Sequence, residues 1–186
     1  MALNVLVILD LDQTLIDMTI PRPGLRRFLN YLFSRFRHVA IWTAASLSWA
    51  RYVLENILEM REEDFRFVYS EKQCVKIGYD EVVKPLSKIW KKSRYQSMGI
   101  SKKNTIIIDD NPDICVRNYG NHLQVPPFDA NDPDDYTVFD RIINLFNDGI
   151  PPDVTVWPQM KALFGKQGKD IKRISSIVDK LEQSSF

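Results

Sequence analysis

The chain has 186 residues, of which 45% are hydrophobic and 11% aromatic, and its net charge is +1. That is enough for one domain with a substantial core, and it excludes a disordered or strongly polyelectrolyte protein. Two cysteines with no C-x-x-C pair argue against a disulfide framework or a structural zinc site and point to a reducing compartment.

The first element is the apolar run Val5-Leu6-Val7-Ile8-Leu9, a buried strand ending in Asp10-Leu11-Asp12-Gln13-Thr14. If the extended form continued, Asp10 and Asp12 would share a face. Two carboxylates about 4 Å apart repel by about 4 kcal/mol at an effective dielectric near 20. A shared proton or a bound cation relieves that repulsion. Pro21-Arg22-Pro23-Gly24 marks a turn, and Leu25, Phe28, Leu29, Leu32, Phe33 and Phe36 then recur at helical spacing.

His38 to Trp42 reads as a second buried strand ending at Thr43. Ser46 is an N-cap for a helix whose inner face is Ala50, Val53, Leu54, Ile57 and Leu58. Between Asp64 and Val83, alternating Phe65, Phe67 and Tyr69 and a turn at Gly78 predict short strands or a hairpin. Pro85-Leu86-Ser87 leads into a short helix with Ile89 and Trp90. Thr105 to Ile108 is the clearest later strand and ends in Asp109-Asp110-Asn111-Pro112. One more strand at Leu123 to Val125, a helix over Val138 to Phe146 and a C-terminal helix over Ile171 to Leu181 complete the pattern.

Strands alternating with amphipathic helices predict an α/β fold, a three-layer parallel sheet with helices on both faces. The chain reads as one domain over 1–186, with a core at about 3–147 and a helical C-terminal extension at 148–186. No large cap domain is expected, only a small hairpin-like insert. Sites in such sheets lie beyond the carboxyl ends of the strands, where Asp10, Asp12, Thr43, Asp109 and Asp110 all fall.

Four acids beside a hydroxyl and basic residues describe a cation site facing an anion. An all-oxygen donor set suits Mg²⁺. His38 and His122 are far from these motifs in sequence and read as structural, so zinc chemistry is disfavoured. Neither Cys74 nor Cys115 sits beside a base, so thiol catalysis fits poorly. No G-x-x-x-x-G-K-[ST] loop occurs.

Charge is segregated. Arg22 to Arg37 holds five arginines and no acid, and Lys84 to Lys103 holds seven basic residues and no acid. Pro126 to Asp153 carries seven aspartates against the single Arg141. The basic segments could attract an anionic substrate, although solvated faces are the simpler account of most single charges.

Asp10-Leu11-Asp12-Gln13-Thr14-Leu15, Pro21-Arg22-Pro23-Gly24, Ile41-Trp42-Thr43-Ala44, Val83-Lys84-Pro85-Leu86 and Asp109-Asp110 together resemble haloacid-dehalogenase-superfamily phosphatases of the FCP/SCP branch. This branch, also called NLI-interacting-factor-like, acts on the RNA polymerase II C-terminal domain (CTD). The Lys84 and Lys102-Lys103-Asn104-Thr105 segments are most similar to its ubiquitin-like-domain members. The resemblance runs from about Leu3 to Phe146.

It implies a Mg²⁺-dependent protein serine/threonine phosphatase working through an aspartyl-phosphate. Asp10 would be the nucleophile and Asp12 the general acid and base. Thr43 would bind a phosphoryl oxygen, and Lys84 would offset charge in the transition state. Lys88, Lys91 and Lys92 are alternatives to Lys84 that spacing does not remove. The metal would be held by the Asp10 carboxylate, the Asp12 backbone carbonyl and the Asp109-Asp110 pair. Many relatives carry Asp-Asn in that last motif, which leaves open which aspartate touches the metal.

An uncapped site implies a phosphorylated protein or peptide substrate, with no nucleic-acid or membrane partner. The expected location is intracellular, nuclear or cytoplasmic, and a virus-encoded origin is compatible. Two rival readings are a capless phosphatase of nucleic-acid ends or small phosphomonoesters and a non-catalytic binding relative.

Overall fold

A computed structural model describes residues 2–79, 81–118, 120–132 and 137–148. The helix expected over Ile171–Leu181 and the extension from 149 onward lie outside them. One parallel sheet is built from five strands: β1 (Leu3–Leu9), β4 (Phe36–Trp42), β5 (Val68–Tyr69), β8 (Thr105–Asp109) and β9 (His122–Gln124). Their order across the sheet is β5-β4-β1-β8-β9.

Two small antiparallel hairpins stand outside that sheet. β2 (Ile16–Asp17) pairs with β3 (Ile20–Pro21), and β6 (Val75–Lys76) pairs with β7 (Val82–Val83). The second is the expected insert around Gly78. The first was not expected, because two-residue strands carry no periodicity to read. Gly24 follows it at φ +80°, the left-handed conformation that redirects the chain into α1 (Leu25–Arg35).

β1, β4 and β8 alternate between two cores. Val5, Val7 and Leu9, Val39 and Ile41, and Ile106 and Ile108 face one core. That core is completed by α1, by α2 (Leu47–Val53) and by α5 (Val138–Asp148). Leu6, Ile8, Ala40, Trp42 and Ile107 face the other, under the short helices α3 (Ser87–Trp90) and α4 (Ser93–Gln96). Each fully buried aliphatic side chain contributes about 1.5–3 kcal/mol, and strands apolar on both faces are what a doubly covered parallel sheet requires.

Ser46 caps α2 as expected, its Oγ accepting from Trp49 N at 3.2 Å. The helix then widens into a π turn over Leu54–Leu58 and stops at Glu59, which has φ +53°. Of the expected inner face, Ala50, Val53, Leu54 and Leu58 are buried and Ile57 is half-buried. Phe36 lies in β4 rather than at the end of α1, which closes at Arg35 with no intervening loop.

Candidate active site

The residue after a strand inherits the strand's alternation. β1 puts Leu6 and Ile8 on the second core's face, so Asp10 emerges on that side; β8 does the same with Ile107 and Asp109. Lys84 follows β7 and enters from the insert, its own N–H donating to Ile114 O at 2.8 Å. The Lys84 ammonium bridges Asp10 Oδ1 at 2.5 Å and Asp109 Oδ2 at 2.7 Å. Lys84 and Asp109 are each 1% exposed.

Lys88 instead donates to Gln73 O at 2.8 Å, and Lys92 to the Tyr69 hydroxyl at 2.8 Å. Among the described residues, Lys84 alone reaches the acids. Asn118, which the sequence did not flag, holds it there by donating to Lys84 O at 2.8 Å and accepting from Leu86 N at 3.0 Å.

Asp12 does not stack on Asp10 along an extended strand, because β1 ends at Leu9. Its carboxylate turns toward α2. Trp49 Nε1 donates to Oδ1 at 2.7 Å, and Thr43 Oγ1 lies 3.4 Å from Oδ2. Thr43 Oγ1 in turn accepts from Ala45 N at 3.0 Å. Asp10, Asp12, Thr43, Lys84, Asp109 and Asp110 line one cleft of ≈ 160 Å³, so the six expected residues converge.

Thr14 belongs to the D-x-D-x-T motif, but the sequence alone assigns it no role. It is fully buried, and its hydroxyl lies 3.1 Å from Asp110 Oδ1 and 3.4 Å from Asp10 Oδ2 while accepting from Asp110 N at 3.1 Å. Asp109 Oδ1 accepts from Asn111 N at 2.9 Å. Beneath Thr14, the buried Arg22 donates to Thr14 O at 2.9 Å and Pro126 O at 2.7 Å, with its guanidinium over the Phe128 ring. Arg22 therefore ties the D-x-D-x-T loop to the far side of the sheet and does not serve as a free cation.

Burial pushes the Asp10 carboxyl up to about 7; Lys84 pulls it down, while Asp109 and Asp110 add to the rise. Burial also raises Asp110, with Asp109 contributing. Burial pulls on Lys84 in the opposite sense, but Asp10 and Asp109 outweigh it and hold the ammonium well above the usual lysine value. One cation thus faces three acids.

Carboxylate oxygens of Asp10, Asp109 and Asp110 all lie within 4.8 Å of one another. Surplus negative charge and an all-oxygen donor set fit a small hard divalent cation. A second group, Asp109, Cys115 and His122, is also close. Its thiol is pushed well above the usual value by burial and by Asp109, and His122 Nε2 is committed to Asp109 O at 2.9 Å. Those groups support the back of the cleft.

No helix among the described residues is long and apolar enough to cross a membrane. The chain is 31% identical over 153 residues to an uncharacterised FCP1 homology domain-containing protein of Schizosaccharomyces pombe, covering 67% of this chain and 62% of that one. It is 33% identical over 113 residues to a CTD phosphatase-like protein of Invertebrate iridescent virus 6, covering 58% and 60%. The human ubiquitin-like domain-containing CTD phosphatase 1 is 28% identical over 137 residues, covering 66% of this chain and 42% of its own. The chain therefore spans about three fifths of the first two relatives' length and less of the third.

Among solved structures, Fcp1, an essential RNA polymerase II CTD phosphatase, superposes with a TM-score of 0.54 at 15% identity, covering 97% of this chain and 63% of that one. At that identity the likeness speaks to the fold, a parallel central sheet with helices. The model of one family, NLI interacting factor-like phosphatase, matches residues 5–151. With this fold, this cleft and that match, the chain belongs to the NLI interacting factor-like phosphatase family.

Proposed function

We propose that this chain is a Mg²⁺-dependent protein serine/threonine phosphatase that works through an aspartyl-phosphate on Asp10, with phosphorylated CTD-like peptides as substrates. The observation that carries it is the buried Lys84 ammonium spanning Asp10 and Asp109 at 2.5 and 2.7 Å, in one cleft with Asp12 and Thr43.

An Asp10 oxygen attacks phosphorus, and the bond from phosphorus to the serine or threonine oxygen breaks as the new one forms. Asp12 gives its proton to the departing alkoxide. Its orientation suits that proton transfer, since Trp49 holds Oδ1 and Oδ2 is left on the Thr43 side. In the second half, water attacks the phosphoaspartate and Asp12, now a carboxylate, takes its proton, which restores the Asp12 acid, frees the Asp10 carboxylate and releases phosphate. The Thr43 hydroxyl donates to a phosphoryl oxygen, and Lys84 balances the charge that accumulates there.

Asp10, Asp109 and Asp110 are the residues that would hold Mg²⁺, with the Asp12 carbonyl as a further ligand. When bound, the ion neutralises phosphoryl charge and orients the group for in-line attack. Phosphate monoester hydrolysis demands accelerations of up to about 10²¹, so covalent and electrostatic assistance are both called for.

The hairpins β2–β3 and β6–β7 add four residues of strand each rather than a cap domain, which favours a peptide over an enclosed metabolite. Two of the named proteins, the human ubiquitin-like domain-containing CTD phosphatase 1 and Fcp1, are CTD phosphatases; that likeness and the open cleft support the substrate assignment. Turnover of p-nitrophenyl phosphate with and without Mg²⁺ tests the reading. Hydrolysis lost on chelation and in Asp10→Asn is the expected result; hydrolysis that survives Asp10→Asn overturns the mechanism.

A further inference from the structure

The two basic segments fold to different ends. In the first, Arg22 is buried on backbone carbonyls, Arg26 pairs with Glu59 at 2.5 Å and Arg27 pairs with Asp140. Those charges are spoken for. In the second, Lys92 and Arg94 reach no carboxylate among the described residues. Both turn onto one neutral oxygen, the Tyr69 hydroxyl, with Lys92 Nζ at 2.8 Å and an Arg94 terminal nitrogen at 3.0 Å.

The same Arg94 nitrogen donates to the Tyr95 hydroxyl at 2.6 Å, and the two hydroxyls are 3.0 Å apart. Lys92 Nζ also sits 4.9 Å from the Tyr69 ring centroid, and the Arg94 guanidinium 4.5 Å from that of Tyr95. Tyr69 and Tyr95 are 7% and 1% exposed. Arg94 is exposed and Lys92 half-buried, and both are seated on a buried base.

Two like charges converging on a neutral acceptor repel each other, and nothing among the described residues cancels them. Burial works to raise the Tyr69 phenol, yet hydrogen bonds from Lys92, Tyr95 and Arg94 outweigh it and leave the group below its usual value. The local field thus favours an anion. One guanidinium fork beside one ammonium, with most N–H groups uncommitted, matches a phosphoryl dianion better than a single carboxylate.

Its place in the fold says what the anion is attached to. Tyr69 ends β5, and its carbonyl accepts from Thr43 N at 3.0 Å. Lys88 donates to Gln73 O at 2.8 Å, and Cys74 Sγ lies 3.9 Å from Thr43 O. The patch and the cleft share the carboxyl edge of the sheet.

We infer that Lys92 and Arg94, seated on Tyr69 and Tyr95, form a second phosphoryl subsite that binds another phosphorylated residue of the same peptide whose first phosphate enters the cleft. This rests on the phosphatase reading for the cleft and adds a preference for multiply phosphorylated segments. The residues are positioning and recognition groups and touch no reacting atom.

The test uses fluorescent peptides and anisotropy in the Asp10→Asn background, so binding is read without turnover. One peptide carries a single phosphoserine. The others add a second, walked away one residue at a time, and a matched set carries glutamate there. At one or a few spacings the doubly phosphorylated peptide binds about tenfold tighter, as charge-assisted hydrogen bonds allow. The glutamate peptides gain less, and Lys92→Gln/Arg94→Gln erases the gain while leaving single-phosphate binding unchanged. The same double change in the otherwise native chain leaves p-nitrophenyl phosphate turnover unaltered. No spacing with a gain, an equal gain from glutamate, or a gain that survives the double variant overturns the subsite. Absent p-nitrophenyl phosphate turnover in the native chain would overturn the phosphatase reading separately.

Discussion

The indole N–H of Trp49 donates to Asp12 Oδ1 at 2.7 Å, fixing one oxygen of that carboxylate and leaving the other toward Thr43. Trp49 lies in the first turn of α2, and its ring stacks on Tyr52 at 5.6 Å. Trp49→Phe keeps an aromatic ring and deletes the donor. Hydrogen bonds to charged groups contribute about 1.5–3 kcal/mol, so kcat should fall about tenfold or more. KM and the thermal midpoint should move little. A loss of stability in place of a kcat effect would assign Trp49 to packing.

Among the described residues, Lys84 is the only ammonium beside the buried Asp10 and Asp109 and the half-buried Asp110. Lys84→Met fills similar space and leaves that charge uncompensated, which costs about 3–5 kcal/mol when one partner of a buried pair is removed. Urea titration should show this loss without metal and partial recovery with Mg²⁺, while phosphatase activity stays abolished. An unchanged midpoint would show that the acids are protonated or solvated without it.

Asp10 couples the proton and the metal. Its carboxyl stands at about 7 in the folded, metal-free chain, against 3.8 as the ordinary value, chiefly through burial. Between those two values the folded state holds a proton that the unfolded state has lost, so metal-free stability falls as pH rises through that window. Mg²⁺ must displace the same proton. Its apparent affinity should rise with pH up to about 7 and level off above. Calorimetry in buffers of different ionisation enthalpy should read proton release on binding at about pH 6 and little at about pH 8.5.

His38 works with the opposite sign. Arg66 Nε donates to its Nδ1 at 3.1 Å, so the proton sits on Nε2 and is given to Asn4 Oδ1 at 3.1 Å. Burial, helped by Arg66 and Arg37, pulls the imidazole down from 6.5 to about 4. The unfolded chain therefore takes up a proton first, and stability is lost as pH falls from 6.5 toward 4. His38→Asn should flatten that acid limb in denaturant titrations at a series of pH values. An unchanged limb would place the titrating group elsewhere.

The sheet was legible because β1, β4 and β8 are apolar runs with polar ends, and Asp10, Thr43 and Asp109 could be placed from the strand ends alone. Lys84 could be separated from Lys88, Lys91 and Lys92 only by resemblance, since its placement depends on the β7 exit and on Asn118, some thirty residues away in sequence. Trp49 was missed because a tryptophan two positions into an amphipathic helix reads as core, and only the fold reveals where its N–H points. Thr14 was missed for a related reason: its partners, Asp10 and Asp110, lie four and 96 residues away. The arginine-rich start of α1 looked like an anion-attracting face, yet long-range carboxylates and carbonyls consume it.

Covalent phosphorylation of Asp10 is the step on which the mechanism stands. The most direct measurement is to acid-quench turnover of a phosphoserine peptide, reduce the trapped acyl phosphate with borohydride and locate the product by peptide mass spectrometry. Conversion at Asp10, absent from Asp10→Asn and strongly reduced in Asp12→Asn, which can neither protonate the leaving serine oxygen nor activate water, is the result this mechanism predicts. Steady turnover with no modification at Asp10, or modification at another residue, would contradict it.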